Sequence, residues 1–391
     1  MSIVIVSATR TPLGAFQGAL AAVPAPRLGA TAIRSAISAA NIPPSAVTDV
    51  LMGCVLQAGQ GQAPARQAAI HAGLLASARC VTIHKVCGSG LQAVMQGAHA
   101  LAAGDATIVV AGGMENMSAA PYLLLKARDG FRLGHQQALD SIVHDGLWDP
   151  YSNLHMGNCA EQCAKKFAFT REQQDAYAAE SFRRANAAQQ AGRLAEEITP
   201  VEITDAKGVV THVAHDEGPK KVNYEKIPTL RPSFDKSGTI TPANASSIND
   251  GAAALVLSTR ETATKLGAHP LARIVSFGAH AQEPVWFTTA PITAARHALD
   301  RAGWSVAEVD LWEVNEAFSV VPLVFMRELG VPHEKLNVRG GAISLGHPIG
   351  ASGARILVTL LAALRERGAR RGVAAICIGG GEALAVCVER I

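Results

Sequence analysis

The chain has 391 residues, of which 17% are charged, and its formal net charge at pH 7 is +3. At roughly 150 residues per domain this length predicts two or three domains, which excludes a single small module. The balanced charge excludes the basic footprint of a nucleic-acid-binding protein and an acidic tail, so no nucleic-acid partner is expected.

The cysteines and the first residues bear on the cellular compartment. Seven cysteines, an odd and scattered set, do not form the framework of a small disulfide-rich secreted domain and favour a reducing compartment. The opening MSIVIVSATRTPLG lacks the pattern of a signal or transit peptide, and the sequence has no apolar run of about 18 residues. We therefore expect a cytoplasmic protein without a membrane partner.

Short β-branched runs alternate with alanine-rich segments of helical period along the chain. In chain order the runs are IVIVSA at the start, ATIVVAGG (106–113), AAALVLS (252–258), ARIVSF (272–277), AAICIGGG (374–381) and LAVCVERI at the end. This alternation predicts α/β layers rather than a helical bundle or a β-sandwich.

A degenerate repeat relates the first half of the chain to its last third. Residues 30–53 and 292–315 align at one offset, with Asn41 opposite Gly303. Both residue types tolerate the left-handed conformation that ends a helix. Each copy then continues into a glycine-rich loop, an alanine-rich helix and a strand that ends in glycines.

The repeat predicts that two distant residues meet. The equivalent glycine-rich loops carry Cys87 and His347, and two copies packed about a pseudo-twofold axis bring such loops together. Cys87 follows a strand and opens a helix, where backbone N–H groups can stabilise a thiolate; the alternative is a buried, inert cysteine. Cys377 ends the strand of the second copy, at an edge where open α/β sheets place ligands.

The segment between the two copies differs from both in composition. It contains a long polar helix, TREQQDAYAAESFRRANAAQQAG, and a lysine-bearing linker, DEGPKKVNYEK. We predict an inserted domain at residues 118–244. Residues 1–117 with 245–267 then form the first half of the molecule, and residues 268–391 the second.

Eight sequence blocks, in order and spanning the chain, resemble the thiolase family. They are TRTPLGAF (9–16), VCGSGLQAV (86–94), AGGMENMS (111–118), HMGNCAE (155–161), FDKSGTITPANAS (234–246), NEAF (315–318), GGAISLGHPIGASGARI (340–356) and CIGGGEA (377–383). The resemblance implies two similar βαβαβ-type halves in an α/β/α/β/α arrangement, with an inserted loop domain. It also implies reversible Claisen condensation and thiolysis of 3-ketoacyl-CoA, with short chains and acetyl-CoA acetyltransferase activity expected.

The resemblance also implies roles for individual residues. Cys87 is the expected nucleophile, His347 the base that takes its proton, and Cys377 the acid and base at the α-carbon. Asn315 is expected to hold a water in one oxyanion hole, and the backbone of Gly379 to contribute to the other. The remaining candidates, which contact coenzyme A or line the acyl tunnel, are His155, Met156, Lys220, Phe234, Ser246, Ala317 and Phe318.

Several residues admit a second interpretation or depart from the family pattern. Lys220 stands where relatives often carry arginine, and an exposed lysine there could also have no role. His84 replaces a usual asparagine and Phe287 a usual methionine, from which we expect an altered acyl preference. Cys159 and Cys163 are spaced i, i+4 without metal-ligand partners, so buried apolar packing is expected and no metal.

Other functions remain open on the sequence. A cysteine hydrolase would need only Cys87 and His347, and a decarboxylating ketoacyl synthase would show a second histidine instead of Cys377. A non-catalytic acyl-CoA-binding protein is the main alternative, although it would be expected to lack one of these three residues. The resemblance further implies a dimer or tetramer, with coenzyme A and acyl-CoA as substrates rather than as a permanently bound cofactor.

Overall fold

The computed structural model describes residues 2–204 and 207–391. Within them the α-helices are α1 (Ala25–Ala40), α2 (Pro64–His71), α3 (Ser89–Ala103), α4 (Met156–Lys166), α5 (Arg171–Gln190), α6 (Arg260–Lys265), α7 (Ala290–Ala302), α8 (Val320–Leu329) and α9 (Ile349–Glu366).

The longer strands pair into one extended sheet. They are β1 (Ile3–Arg10), β3 (Asp49–Gly53), β4 (Arg79–Ile83), β5 (Ile108–Asn116), β12 (Asn249–Thr259), β13 (Ala272–Ala281), β14 (Leu311–Val314), β15 (Arg371–Ile378) and β16 (Glu382–Arg390). Their order is β14-β15-β16-β13-β1-β12-β5-β3-β4. The short strands are β2 (Gly14–Ala15), β6 (Tyr122–Leu123), β7 (Leu139–Asp140), β8 (Trp148–Asp149), β9 (Leu154–His155), β10 (Val201–Thr204) and β11 (Val210–Val213).

The extended sheet consists of two halves joined by a narrow seam. β1 and β13 pair only through Val4 with Arg273 and Ile5 with Ala272. By contrast, β13 pairs with β16 from Ala272 to Ala281, and β12 pairs with β5 along most of its length. The halves are therefore separate sheets in all but these two residue pairs.

Three hydrophobic clusters show how the helices cover the two sheets. Helices α3 and α9 pack between the sheets, where the side chains of Leu91, Val94, Ile356 and Leu360 share one buried cluster with both. Helices α1 and α2 cover the outer face of the first sheet, and α7 and α8 cover that of the second. The predicted α/β/α/β/α layering is confirmed.

The two central helices approach each other closely because glycines face the partner helix. A Cβ atom on Gly90 would lie 2.7 Å from the backbone nitrogen of Ala354, and one on Gly353 would lie 2.5 Å from that of Leu91. Larger residues would push α3 and α9 apart. The crossing therefore brings together the N-terminal ends of both helices, where Cys87 and His347 lie.

The internal repeat is present in the structure. α1 and β3 in the first half correspond to α7 and β14 in the second. Asn41 and Gly303 both end their helices in the left-handed conformation, at φ 53° and 67°. The following pairs, α3 with β5 and α9 with β15, also correspond, so Cys87 and His347 occupy equivalent positions ahead of their helices.

The chain returns to the first sheet after the segment that differs in composition. β12 lies between β1 and β5 in the first sheet. The domain bounds given above stay a prediction. Helices α4 and α5 of the predicted insertion contribute Cys159, Cys163 and Tyr177 to the apolar cluster of the second half. No helix of the described residues is long and apolar enough to cross a membrane.

Candidate active site

A cavity of about 250 Å³ lies where the two halves meet the inserted segment. Its walls include most of the residues that the sequence singles out: Cys87, His155, Met156, Phe234, Ser246, Ala317, Phe318, His347 and Gly379. We call it the acyl cavity. Asn315 and Cys377 lie behind its wall, and Lys220 does not line it.

Cys87 lies in a constrained turn between β4 and α3. Val86, the residue before it, has φ 44°, a backbone conformation that is strained for a β-branched residue. Ser89 braces this turn, because its Oγ donates to the carbonyl of Val86 (2.7 Å) and accepts from the backbone N–H of Lys85 (2.8 Å). The turn presents the half-buried Cys87 thiol at the cavity wall.

The Cys87 thiol is protonated at neutral pH unless a base takes its proton. Burial raises the pKa of the Cys87 thiol to about 11, although the backbone N–H groups of Gly379 and of Cys87 itself counteract the shift. Those N–H groups therefore lie close to the sulfur, the position from which backbone donors stabilise an oxyanion on a carbonyl bound there. A base within reach is required for reaction near pH 7.

The hydrogen bonds of His347 identify which ring nitrogen is the base. Ser352 Oγ lies within hydrogen-bond distance of the Pro348 carbonyl (2.9 Å) and of His347 Nδ1 (2.6 Å). We assign its hydrogen to Pro348, and in this arrangement Nδ1 carries the imidazole proton and Nε2 is an acceptor. Burial and the Arg355 cation lower the pKa of His347 to about 3, so the ring is neutral at pH 7 in the free enzyme.

Asn315 holds the other side of this imidazole. Its Nδ2 donates to His347 Nε2 (3.4 Å), and its backbone N–H donates to the carbonyl of Ala375 (3.0 Å). Its Oδ1 is buried and has no hydrogen-bond partner among the described residues. A buried acceptor of this kind is normally satisfied by a water, which fits the expected role of Asn315 as a holder of water.

Cys377 is a second buried thiol close to the first. On β15 the side chains of Val373, Ala375 and Cys377 belong to the apolar cluster beside α4 and α7, whereas alternate residues face α3 and α9. Cys377 is 0% exposed. Burial and the neighbouring Cys87 raise the pKa of the Cys377 thiol well above its ordinary value. The two thiols therefore do not both ionise readily.

Aromatic rings form the far wall of the acyl cavity. The ring of His155 stacks on Phe234 at 4.7 Å, and its Nδ1 accepts a hydrogen bond from the backbone N–H of Gly157. Phe318 lies edge-on to Phe234 at 6.1 Å and to Phe287 at 6.2 Å. Phe287, identified from the sequence as unusual, lines the cavity. These rings limit the size of a bound acyl group.

His84, the other departure from the family pattern, lies outside the cavity. Its side chain is exposed, and it is absent from the residues that line the acyl cavity. The expected effect on acyl preference therefore depends on Phe287.

A second, more open cavity of about 660 Å³ adjoins the acyl cavity. The two share Phe234, Ala245, Ser246, Ser247 and Ile248. Lys221 and Lys226 line its outer part, and we call it the lysine groove. Lys220 is exposed in the same turn but does not line the groove. Lys221 and Lys226 were not predicted from the sequence, although the lysine-bearing linker DEGPKKVNYEK contains both.

Sequence analysis also missed the residues that support the catalytic candidates. Glu316 is buried and accepts hydrogen bonds from Tyr177 Oη, Ser181 Oγ, Asn337 Nδ2 and the backbone of Ile343, which fixes the chain next to Asn315. A glutamate in an NEAF block gives no local sign of burial, and its partners lie far away in the sequence.

No metal centre is found among residues 2–204 and 207–391. These residues contain no group of three or more histidine, cysteine or carboxylate side chains that could hold an ion. Cys159 and Cys163 are fully buried among apolar residues, as predicted.

Family comparisons match the whole chain. The family described as "Thiolase, N-terminal domain" matches residues 3–261, and "Thiolase, C-terminal domain" matches residues 268–390.

Similar proteins match over nearly the same length. An acetyl-CoA acetyltransferase of Cupriavidus necator is 51% identical, over 99% of both chains. Acetyl-CoA acetyltransferase 2 of Arabidopsis thaliana is also 51% identical, over 98% of this chain and 96% of its own.

Solved structures show the same fold. The crystal structure of the Bacillus anthracis acetyl-CoA acetyltransferase superposes with a TM-score of 0.97 at 37% identity, over 100% of this chain and 99% of that one. The Acat5 thiolase of Ascaris suum in complex with coenzyme A superposes with a TM-score of 0.95 at 44% identity, over 100% of both chains.

Proposed function

Because the chain belongs to the thiolase family, we propose that it is an acetyl-CoA acetyltransferase, which condenses two acetyl-CoA molecules to acetoacetyl-CoA and CoA and also catalyses the reverse thiolysis. The observation that carries this proposal is that Cys87 and His347, from two different loops, line one cavity. The buried Cys377, near the end of β15, lies close enough to Cys87 for its pKa to be raised by it.

In the first half-reaction Cys87 becomes acetylated. His347 Nε2 takes the thiol proton, and the Cys87 thiolate attacks the thioester carbonyl of acetyl-CoA. The backbone N–H groups of Cys87 and Gly379, which lie close to this sulfur, stabilise the oxyanion. The C–S bond to coenzyme A then breaks, and the leaving CoA thiolate takes the proton from His347, so that CoA leaves as a thiol.

In the second half-reaction a new C–C bond replaces the acetyl–cysteine bond. After CoA has left, the neutral His347 takes the proton of the Cys377 thiol, and the Cys377 thiolate removes a proton from the α-carbon of a second acetyl-CoA. The enolate oxygen is stabilised by His347 and by a water held on Asn315. The α-carbon attacks the acetyl carbonyl on Cys87. The Cys87–acetyl bond breaks and acetoacetyl-CoA forms. The Cys87 thiolate takes the proton from His347, and Cys377 keeps the α-proton, so both sulfurs are thiols for the next cycle.

The lysine groove is the proposed path of coenzyme A. It leads from Ser246 at the acyl cavity to Lys221 and Lys226 at its outer end. Lysine ammonium groups there can meet phosphates as point charges. Lys220, in the same turn, remains a candidate for a phosphate outside the groove. Met156, Phe234, Ala317 and Phe318 then contact the acyl and pantetheine portion.

The proposed nucleophile can be tested directly by mass spectrometry. Brief exposure of the full-length protein to acetyl-CoA is expected to add one acetyl group, which peptide mapping places on Cys87. The thioester of coenzyme A is the only acetyl donor required. Folded protein that acquires no adduct from acetyl-CoA or from a longer acyl-CoA would instead favour the alternative, a non-catalytic acyl-CoA-binding protein.

Phe287 is expected to influence acyl preference. Phe287 is 2% exposed and lines the acyl cavity. We expect Phe287→Met to change the ratio of kcat/KM for longer or branched 3-ketoacyl-CoA to that for acetoacetyl-CoA by about tenfold, since one methylene in an apolar pocket has effects of this size. Steady-state thiolysis of both substrates measures this ratio.

His84→Asn is the matched control for Phe287→Met, because His84 departs from the family pattern but lies outside the acyl cavity. It should leave the ratio unchanged. An unchanged ratio in Phe287→Met, together with an ordinary preference for four-carbon substrates in the wild type, would contradict a role of Phe287 in acyl preference.

We further propose a cytoplasmic homo-oligomer. Free cysteines throughout the chain are typical of proteins from reducing compartments. Exposed apolar side chains support an interface between copies; they include Tyr122, Leu125, Phe131, Leu133 and Tyr151.

A further inference from the structure

Two buried side chains of the first half hold the loop that carries His347, although this loop leads into α9 of the second half. Asn249, on β12, accepts a hydrogen bond on Oδ1 from the backbone N–H of His347 (3.0 Å). Glu115, on β5, accepts one on Oε2 from the backbone N–H of Gly350 (2.8 Å). Asn249 is 1% exposed and Glu115 is 0% exposed.

The orientation of Asn249 is fixed by its other hydrogen bonds. Its Nδ2 donates to the carbonyl of Gly14 (2.8 Å), and its Oδ1 also accepts from Ser247 Oγ (2.7 Å). The contact with the loop is tight, because a Cβ atom on Gly346 would lie 2.4 Å from Asn249 Cγ. Gly346 has φ 124°, which disfavours other residues as well. Asn249 is therefore held rigidly against the residue before His347.

Glu115 ties the start of α9 to the first sheet. Its carboxylate also accepts from the backbone N–H groups of Val55 (3.0 Å) and Leu56 (3.1 Å), which follow β3. Pro348, at the N-cap of α9, has no side-chain capping bond. Burial raises the pKa of Glu115 to about 7, although the backbone N–H groups that bind it counteract the shift. Its oxygen still accepts from the helix N-terminus, so Glu115 takes over the capping role from a distant strand. A Cβ atom on Gly350 would lie only 2.6 Å from Glu115 Oε2.

The two anchors lie side by side. β5 and β12 are antiparallel neighbours, and Glu115 pairs with Gly251, two residues from Asn249. The turn that carries Cys87 follows β4, which belongs to the same sheet. The His347 loop and the Cys87 turn are therefore both attached to the first sheet. This fixes His347 relative to Cys87, although α3 and α9, which follow them, belong to different halves.

We propose that Asn249 and Glu115 are positioning residues that hold His347 Nε2 at the distance and angle needed to take the Cys87 proton. The proposal rests on the roles of Cys87 and His347 given above. Neither side chain is required to touch substrate. Misplacement of a catalytic group by about 1 Å can cost about 10²-fold in rate.

The test measures the reactivity of Cys87 without any acyl-CoA. Iodoacetamide alkylation of Cys87, followed by peptide mass mapping in the full-length protein, is compared between wild type, Asn249→Ala and Glu115→Ala from pH 7 upward. At pH 7 we expect both variants to react about 10²-fold more slowly. The difference should shrink as the pH approaches the thiol's own pKa of about 11, because the thiol then ionises without His347.

Asn116→Ala is the matched control. Asn116 is buried on the same strand as Glu115, but its Nδ2 donates to the carbonyls of Ala21 (3.0 Å) and Val23 (2.7 Å) rather than to the His347 loop. In this variant iodoacetamide should alkylate Cys87 at the wild-type rate at every pH. Asn249→Asp, which keeps an acceptor for the N–H of His347, should recover part of the rate at pH 7.

Two results would overturn the proposal: wild-type rates in both variants at pH 7, or an equal slowing at every pH, which indicates general destabilisation. A failure of the proposed function looks different. It would appear as wild-type Cys87 that iodoacetamide alkylates but acetyl-CoA does not acetylate.

Discussion

Replacing Cys87 by alanine is expected to lower kcat for acetyl transfer by roughly 10⁶-fold, the order of loss that removal of the nucleophile causes in a covalent acyl-transfer enzyme. The reason is that both half-reactions pass through the acetyl–Cys87 bond. His347, the backbone N–H of Gly379 and the cavity walls stay in place in this variant, so substrate binding should change little. Steady-state thiolysis of acetoacetyl-CoA measures the loss.

Cys80→Ala is the control for Cys87→Ala. Cys80 is also only partly buried, but it lies on β4 beside Arg66 and away from the acyl cavity. Its removal should leave kcat within about twofold of the wild-type value, since substitutions near the protein surface have small effects. Acetyl transfer by Cys87→Ala within tenfold of wild type would contradict the assignment of Cys87 as nucleophile.

Replacing Cys377 by alanine is expected to separate the two half-reactions. Condensation and thiolysis should slow by about 10²- to 10⁴-fold, the usual contribution of a positioned acid or base. Acetylation of Cys87 by acetyl-CoA should persist, because its proton goes to His347. A rapid burst of CoA release, followed by almost no turnover, is the expected kinetic signature.

The electrostatics of the two thiols support this order of events. The nearby Cys87 sulfur raises the pKa of Cys377 beyond the effect of burial. Acetylated Cys87 cannot ionise, so in the acyl-enzyme burial is the remaining cause that raises the pKa of Cys377.

Cys387→Ala is the control for Cys377→Ala. Cys387 is likewise fully buried, on the neighbouring strand β16, but it is not among the residues of the acyl cavity. Its removal should leave both half-reactions near the wild-type rate. If Cys377→Ala lost acetylation as severely as condensation, Cys377 would instead have a role in the first step or in folding.

Much of the architecture followed from the sequence because it depends on local patterns. The alternation of β-branched runs and alanine-rich segments predicts α/β layers, and the repeat predicts that Cys87 and His347 lie at equivalent helix starts. Asn41 and Gly303 end the two repeated helices in the same left-handed conformation. Such features are properties of a few consecutive residues, so they can be read without knowledge of the packing.

Contacts between distant segments could not be derived in this way. Nothing local distinguishes Lys221 and Lys226, which line the lysine groove, from Lys220, which points elsewhere. Likewise His84 lies only three residues from Cys87 yet is exposed outside the acyl cavity, because the strained turn at Val86 separates them.

The same limit applies to the chemistry of the site. The repeat and the motifs identified the nucleophile and the base as candidates, but which nitrogen of His347 accepts the proton follows from Ser352, and what holds the loop follows from Asn249 and Glu115. These partners approach only when the two sheets, the central helices and the inserted segment pack together. The distances between these side chains depend on the order of the strands, on how the central helices cross and on the glycines at their contact. No short stretch of neighbouring residues determines these features.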